Sequence, residues 1–328
     1  MSLPRPGLAD IEAAAHRLAG HAVRTPLLGA PLLDREFGGR LLVKPECLQL
    51  TGSFKFRGAY NKISQLSDEQ RKNGVIAYSS GNHAQGVAAA ASMYGAPAVI
   101  VMPADAPAIK IANTRAWGAE VVTYDRHGES REEVAGAIAR KRGLTLVPPY
   151  DDPAIIAGQG TVGLEIAEEC KARGIVPDAV VICCGGGGLS SGSAIALAAA
   201  FPGVDLHTAE PAGWDDTARS LAGGERVANQ GLAPSLCDAL LAPMPGALTF
   251  PINRDLMRSG AAVDDAEVVA AMAAANRHFK LVAEPGGAAA LAAVLAGKVP
   301  VAGRTVVAVI SGGNVDPALY AELLGQAS

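Results

Sequence analysis

The chain is predicted to be an α/β protein of two lobes, each lobe a mostly parallel sheet covered by helices. Three observations predict it. Short apolar runs alternate with helical segments along most of the chain, the pattern of βαβ units. Those runs lack strict period-two alternation, as expected of strands buried on both faces. The length of 328 residues exceeds what one hydrophobic core usually organises. Hydrophobic residues make up 49% and aromatics only 4%, so alanine, valine and glycine do the packing.

Residues 8–20 place Ile11, Ala14, Ala15 and Leu18 at helical spacing and end near Gly20, which predicts an opening amphipathic helix. Residues 40–44 (RLLVK) read as a short strand. The stretch TGSFKFRGA, 51–59, then leads into an apolar-periodic run through Tyr60, Ile63 and Leu66. Strands are predicted at 75–79, 98–102, 120–124 and 144–148, with helices starting near His83, Ala108 and Glu129 between them. PPYDDP at 148–153 combines three prolines with two aspartates and reads as a hinge between lobes. Beyond it, a helix over 154–173 leads to a strand at 178–184, four glycines, a helix from Leu189 and a strand at 204–210. The Gly- and Pro-rich segment 222–251 carries no clear periodicity. Helices near 265–279 and 286–297 and a strand at 304–310 complete the second lobe.

Composition narrows the function. A net charge of −4 with dispersed Lys and Arg excludes a basic nucleic-acid or membrane surface and leaves small molecules as the expected partners. The five cysteines form an odd set without CxxC spacing, which predicts reduced, mostly buried thiols. The N-terminus carries no basic segment followed by an apolar block, and no run reaches membrane-spanning length, so a cytoplasmic location is expected.

Four stretches carry chemistry. Lys55, between Phe54 and Phe56 at an expected strand-to-helix junction, would be partly desolvated, which favours a neutral amine able to attack an aldehyde; alone, it would more commonly be an ordinary exposed lysine. Gly185, Gly186, Gly187 and Gly188 in CCGGGGLSSG (183–192) join a strand to a helix and can turn several N–H groups onto a phosphate, the alternative being a flexible turn. The run is neither GxGxxG nor GxxxxGK[ST], so dinucleotide and nucleoside triphosphate binding are weak readings. SSGNHAQG (79–86) sets Ser79, Ser80, Asn82 and His83 at another strand-to-helix turn, where they can converge on a ligand, the even alternatives being Ser80 as a helix cap and His83 as a satisfied polar residue. ISGGNVD (310–316) ends the last strand with Ser311. Three such carboxyl edges and one lysine fit a phosphorylated aldehyde cofactor held between two lobes.

SFKFRGA, SSGNHAQG, IIAGQGTVGLEI (155–166), GGGGL, AEP and ISGGNVD occur in that order. Together they closely resemble the threonine/serine dehydratase and serine racemase group of fold-type II pyridoxal-phosphate enzymes, and the resemblance covers nearly the whole chain. It implies a tryptophan synthase β-like fold with a large cofactor-binding domain, 1–55 and 151–328, and a small mobile substrate-binding domain, 56–150. It implies that Lys55 carries pyridoxal 5′-phosphate as a Schiff base and shuttles the α-proton. Phe54 and Leu189 would flank the cofactor, Gly185 to Gly188 hold its phosphate, Asn82 bond its 3-oxygen, and Ser311 face its ring nitrogen. Ser80, Gly81, Asn82 and His83 would receive the substrate carboxylate, and Ser80 matches the acid/base serine of the racemases.

Further implications are a Mg²⁺ or Ca²⁺ site at Glu210, the Trp214 carbonyl and Asp216, against which stands a plain solvated acidic loop. Arg131 matches an arginine on the distal side of ligands, although a surface helix arginine is the blander reading. If it does serve that role, 3-hydroxyaspartate joins serine and threonine as a substrate. The seventeen residues after Ser311 are fewer than the regulatory domain that biosynthetic threonine dehydratases append, so feedback inhibition by an amino acid is not expected. The expected reaction is α,β-elimination from a small β-hydroxy amino acid to a 2-oxo acid and ammonia, in a homodimer or homotetramer. An amino acid racemase using Lys55 and Ser80, and a non-catalytic cofactor or amino acid binding protein, are the alternatives.

Overall fold

The computed structural model describes residues 3–79, 81–106, 108–125, 128–230 and 234–326. The strands are β1 (Leu28–Gly29), β2 (Arg40–Pro45), β3 (Val75–Tyr78), β4 (Ala98–Pro103), β5 (Glu120–Tyr124), β6 (Thr145–Leu146), β7 (Ala179–Cys183), β8 (Asp205–Pro211), β9 (Ser259–Val263) and β10 (Thr305–Ile310). They form two sheets, a six-stranded one in the order β1-β2-β10-β7-β8-β9 and a four-stranded one in the order β5-β4-β3-β6. All pairings are parallel except β1 with β2. The α/β architecture of helix-covered parallel sheets expected from the apolar runs is therefore present.

The inner strands β2, β10, β7 and β8 of one sheet and β4 and β3 of the other are buried on both faces because helices pack on each side. Beneath the six-stranded sheet, Val180, Ile182, Val307 and Val309 meet Val162, Ile166 and Leu197 from the helices Pro153–Ala172 and Gly188–Ala200. On the other face lies Pro285–Leu295, alanine-rich and buried along its length. The first two of these helices lie close together because glycine replaces a side chain where they cross: a Cβ on Gly163 would stand 2.5 Å from the Ser193 carbonyl oxygen, and one on Gly192 would stand 2.3 Å from that of Ile156. This gives the IIAGQGTVGLEI segment its glycines.

A buried ion network ties the elements around Lys55 together. The Arg57 guanidinium, 1% exposed, donates to Glu46 and Glu165, and Lys44 Nζ donates to Glu165 at 2.6 Å and to the Thr25 carbonyl. Burial works against the charge on Glu46, but the Arg57 guanidinium outweighs it and holds the carboxyl below its usual range. The network clamps the start of helix Lys55–Ser64 to β2 and to Pro153–Ala172.

Most expected elements occur within a residue or two of their predicted bounds. The exceptions have local causes. β2 ends at Pro45, and a 3₁₀ turn, Glu46–Leu48, and a bend precede Lys55, so Lys55 opens its helix without a strand running directly into it. β6 is only Thr145–Leu146, because the prolines that follow have no N–H for the ladder. β1, β9 and the helices Pro31–Phe37, Asp68–Asn73, Asp216–Gly223, Thr249–Leu256 and Pro317–Gln326 have no counterpart in the expectations. All five cysteines are free and four are buried, as expected.

Candidate active site

The carboxyl ends of β10, β7 and β3 open into one cleft of roughly 1000 Å³ counting its mouth, lined on one side by Lys55, Gly185 to Gly188 and Ser311 and on the other by Gly81, Asn82, His83 and Arg131. The lysine is placed by backbone stitching. Phe54 N–H donates to the Ser311 carbonyl at 3.1 Å, Ser53 bridges Gly312, and Gly313 N–H donates to the Gly52 carbonyl at 2.9 Å. Lys55 Nζ donates to the Pro149 carbonyl at 2.8 Å and stands 5.2 Å from the Phe54 ring centroid. Burial lowers its pKa to about 8, so a larger neutral fraction exists near neutrality than for an exposed lysine.

Three of the four glycines are sterically constrained, while a Cβ on Gly185 would meet nothing closer than 3.4 Å. A Cβ on Gly186 would lie 2.3 Å from the Tyr150 ring, one on Gly188 would lie 2.3 Å from Gln159 Oε1, and Gly187 has φ +92° with Thr249 Oγ1 2.7 Å from its Cβ position. Gly187 is the N-cap of Gly188–Ala200, so the turn aims a helix N-terminus into the cleft. Thr249 Oγ1 donates to the Gly186 carbonyl at 2.6 Å, and Asp151, itself at φ 52°, accepts from the N–H groups of Ala247, Leu248 and Thr249. The hinge aspartate thus braces the glycine turn from behind.

Across the cleft, helix Asn82–Met93 begins with Asn82 facing Glu284, and the amide donates to Glu284 Oε1 at 2.5 Å. His83 is 2% exposed; its Nε2 contacts the Val147 carbonyl at 2.9 Å and is therefore the protonated nitrogen. Burial, followed by the nearby Lys55 charge, lowers its pKa to about 3 and keeps the ring neutral. Arg131 begins helix Arg131–Arg142; its guanidinium lies 5.4 Å from the Tyr78 ring centroid, and among the described residues only its Nε is engaged, by Glu132. Ser80 lies outside the described residues.

Phe54 and Leu189 line the cleft as well. The cleft contains side chains with no sequence signal of their own: Tyr78, Lys110, Tyr150 and Asp238. Lys110 Nζ donates to Asp238 Oδ2 at 2.5 Å across the mouth. Tyr150 falls inside PPYDDP, read as a hinge, and the prolines there were the one cue that this segment turns toward the cleft.

Glu210, Trp214 and Asp216 lie outside this cleft, at the end of β8 and the start of helix Asp216–Gly223. Glu210 accepts from Thr217 and Ala218 N–H, and Asp216 Oδ1 from Asn229. Burial first and then Asp216 raise Glu210 to about 8; burial raises Asp216 to about 6. Asp216 Oδ2 is buried without a partner, so the pair has donor capacity and a repulsion that a hard cation would relieve. Among the described residues no cluster of three His, Cys, Asp or Glu side chains could hold a metal.

A buried amine, a glycine-lined helix N-terminus and a serine at the central strand's carboxyl edge are the parts a phosphorylated aldehyde needs, and together they define a site of the pyridoxal-phosphate class. Comparison with known proteins agrees. Residues 18–312 match the family model described as pyridoxal-phosphate dependent enzyme, and the chain belongs to that family. Within it, the chain is 44% identical over 315 residues to an L-threo-3-hydroxyaspartate ammonia-lyase from a Pseudomonas species, covering 96% of this chain and 97% of that one. The crystal structure of T.th. threonine deaminase superposes with a TM-score of 0.89 at 43% identity over 95% of this chain and 99% of the other. Maize serine racemase gives 0.91 at 36% identity over 98% of each chain. The threonine/serine dehydratase and serine racemase group and its fold-type II architecture, expected from the motifs, are thereby established. No described helix is long and apolar enough to cross a membrane.

Proposed function

We propose that the chain is an ammonia-lyase acting on a β-hydroxy amino acid that carries a second carboxylate, of the 3-hydroxyaspartate type, and releasing the 2-oxo acid and ammonia. The observation that carries this reading is Arg131, a guanidinium lining the same cleft as Lys55 with only its Nε engaged among the described residues. A planar donor fork in that position favours a carboxylate over the methyl group of threonine or the hydrogen of serine. The 44% identical ammonia-lyase supports the same substrate class.

Pyridoxal phosphate, when bound, supplies the electron-withdrawing ring that acidifies the hydrogen on the substrate's α-carbon. Gly185 to Gly188 would hold its phosphate, with Phe54 and Leu189 against its ring, Ser311 toward the ring nitrogen and Asn82 toward the 3-oxygen. The N–H groups opening helix Asn82–Met93 have no partner within the helix and would take the α-carboxylate, with Gly81 and His83 in the same turn. Lys55 Nζ, neutral in part because of burial, takes the α-proton. The β-hydroxyl leaves as water after gaining a proton, and the freed enamine hydrolyses to the 2-oxo acid and ammonia. Residues 56–150, which contain the four-stranded sheet, would form a small domain that closes on residues 1–55 and 151–328. Glu210 and Asp216, with the Trp214 carbonyl, would bind Mg²⁺ or Ca²⁺. A cytoplasmic homodimer or homotetramer is the expected state, testable by light scattering.

The test is release of 2-oxo acid and ammonia from cofactor-loaded protein over the stereoisomers of 3-hydroxyaspartate, serine and threonine. Release from a 3-hydroxyaspartate isomer, abolished in Arg131→Ala with serine turnover spared, is expected. Equal loss with both substrates would sink the assignment to Arg131. Similarity to maize serine racemase supports racemisation as a second reading; chiral analysis showing D-serine forming faster than pyruvate would favour it.

A further inference from the structure

Glu284 is the N-cap of helix Pro285–Leu295 and is 1% exposed, yet its side chain makes no cap bond to the helix. Its Oε1 instead accepts from Asn82 Nδ2, and its own N–H donates to the Gly312 carbonyl at 3.0 Å. Glycine at 312 makes this possible, since a Cβ there would stand 2.1 Å from Oε1.

We propose that Glu284 is a positioning residue for the reaction, fixing the Asn82 carboxamide in one orientation so that its second amide hydrogen is presented to bound pyridoxal phosphate. The inference rests on the reading of the cleft given above. Asn82 is bracketed by one acceptor and one donor. Its Oδ1 accepts at 2.8 Å from Asn314 Nδ2, and that nitrogen is itself identified by donating to the Thr51 carbonyl at 2.8 Å. A flipped Asn82 would set its nitrogen against the Asn314 nitrogen and its oxygen against the Glu284 carboxyl, losing both bonds. With one amide hydrogen on Glu284, a single N–H remains for the cleft.

The charged groups near Glu284 are Lys110 and Asp238, paired with each other in the cleft, and the Cys47 thiol is also close enough to feel its charge. Burial is the main influence on the carboxyl and raises it to about 7, with Lys110 lowering it and Asp238 raising it. Oε2 has no partner and is where the proton would reside. Ionisation strengthens the bond to the Asn82 amide.

The experiment compares holoenzyme carrying Glu284→Gln, which keeps an acceptor but cannot ionise, with Glu284→Ala, which keeps neither. Cofactor dissociation, the absorbance of bound cofactor from about pH 6 to about pH 8, and kcat and KM are measured. In the alanine variant cofactor binding weakens by about tenfold or more and kcat falls with KM little changed, while the glutamine variant stays within about threefold of wild type. The wild-type absorbance titrates with a midpoint near about 7, and neither variant shows that step. Wild-type affinity and spectrum in the alanine variant would overturn the proposal, as would a glutamine variant as defective as alanine. A wild-type protein that binds the cofactor and releases ammonia shows that such a failure belongs to Glu284; one that does neither overturns the reading of the cleft beneath it.

Discussion

Replacing Gly187 by alanine tests whether the glycine turn is a cofactor cradle. Gly187 has φ +92°, and its Cβ would meet Thr249 Oγ1 at 2.7 Å and Thr249 Cβ at 2.9 Å. Thr249 cannot step aside freely, because its hydroxyl donates to the Gly186 carbonyl and its N–H to Asp151. The left-handed backbone costs an L-residue roughly 1–2 kcal/mol, and forcing extra atoms into a packed site adds roughly 1–3. Together these come to roughly 2–5 kcal/mol, a factor of about 30 to several thousand. Without cofactor the turn can relax and shed part of that strain; with cofactor it must be restored, so the loss divides between stability and affinity. Gly203→Ala is the matched control: φ +96°, but open space around its Cβ. The assay pairs cofactor affinity by absorbance with the urea midpoint of both variants. Gly187→Ala is expected to weaken cofactor binding by at least tenfold, and Gly203→Ala to leave it unchanged while costing roughly 1–2 kcal/mol of stability. If Gly187→Ala retains wild-type affinity and loses no more stability than Gly203→Ala, the cradle argument is wrong.

Lys55→Ala is expected to fold, to lose the absorbance of lysine-bound cofactor and to show no detectable ammonia release; wild-type-like turnover would refute the role of Lys55. Because the Lys55 amine titrates at about 8, cofactor capture by cofactor-free protein should accelerate about tenfold per pH unit below that value and level off above it, as stopped-flow absorbance would show. Glu46→Gln leaves the buried Arg57 with less compensation and should cost roughly 3 kcal/mol or more in urea unfolding, with any residual activity retaining its substrate preference. Chelation should lower the unfolding temperature and Mg²⁺ or Ca²⁺ restore it in wild type but not in Asp216→Asn; an identical response in both proteins would remove the cation from Asp216.

The motifs at 183–192 and 310–316, and the start of 79–86, were legible because each follows a buried strand, and 51–59 because it opens a helix after a bend; the chemistry of such turns is local: glycines for close approach, a serine or asparagine for a cap. The apolar runs likewise declared helix-covered parallel sheets, since a strand buried on both faces cannot alternate. β9 escaped notice because Ser259–Val263 is a half-buried edge strand of small residues, whose pairing with β8 supplies the order that its own sequence does not.

What the sequence by itself determined was the family, the carboxyl-edge turns and the lysine, all written in short contiguous stretches whose backbone requirements are local. Only the tertiary structure decided that Ser311 is stitched to Phe54, that Tyr150 and Asp151 brace the glycines, that Lys110 meets Asp238 across the mouth, and that Glu284 holds Asn82 from 202 residues away. These partners have no spacing to detect, because burial and hydrogen bonding select them in space: a polar group removed from water must find whichever complementary atom the packing of the two sheets brings within reach.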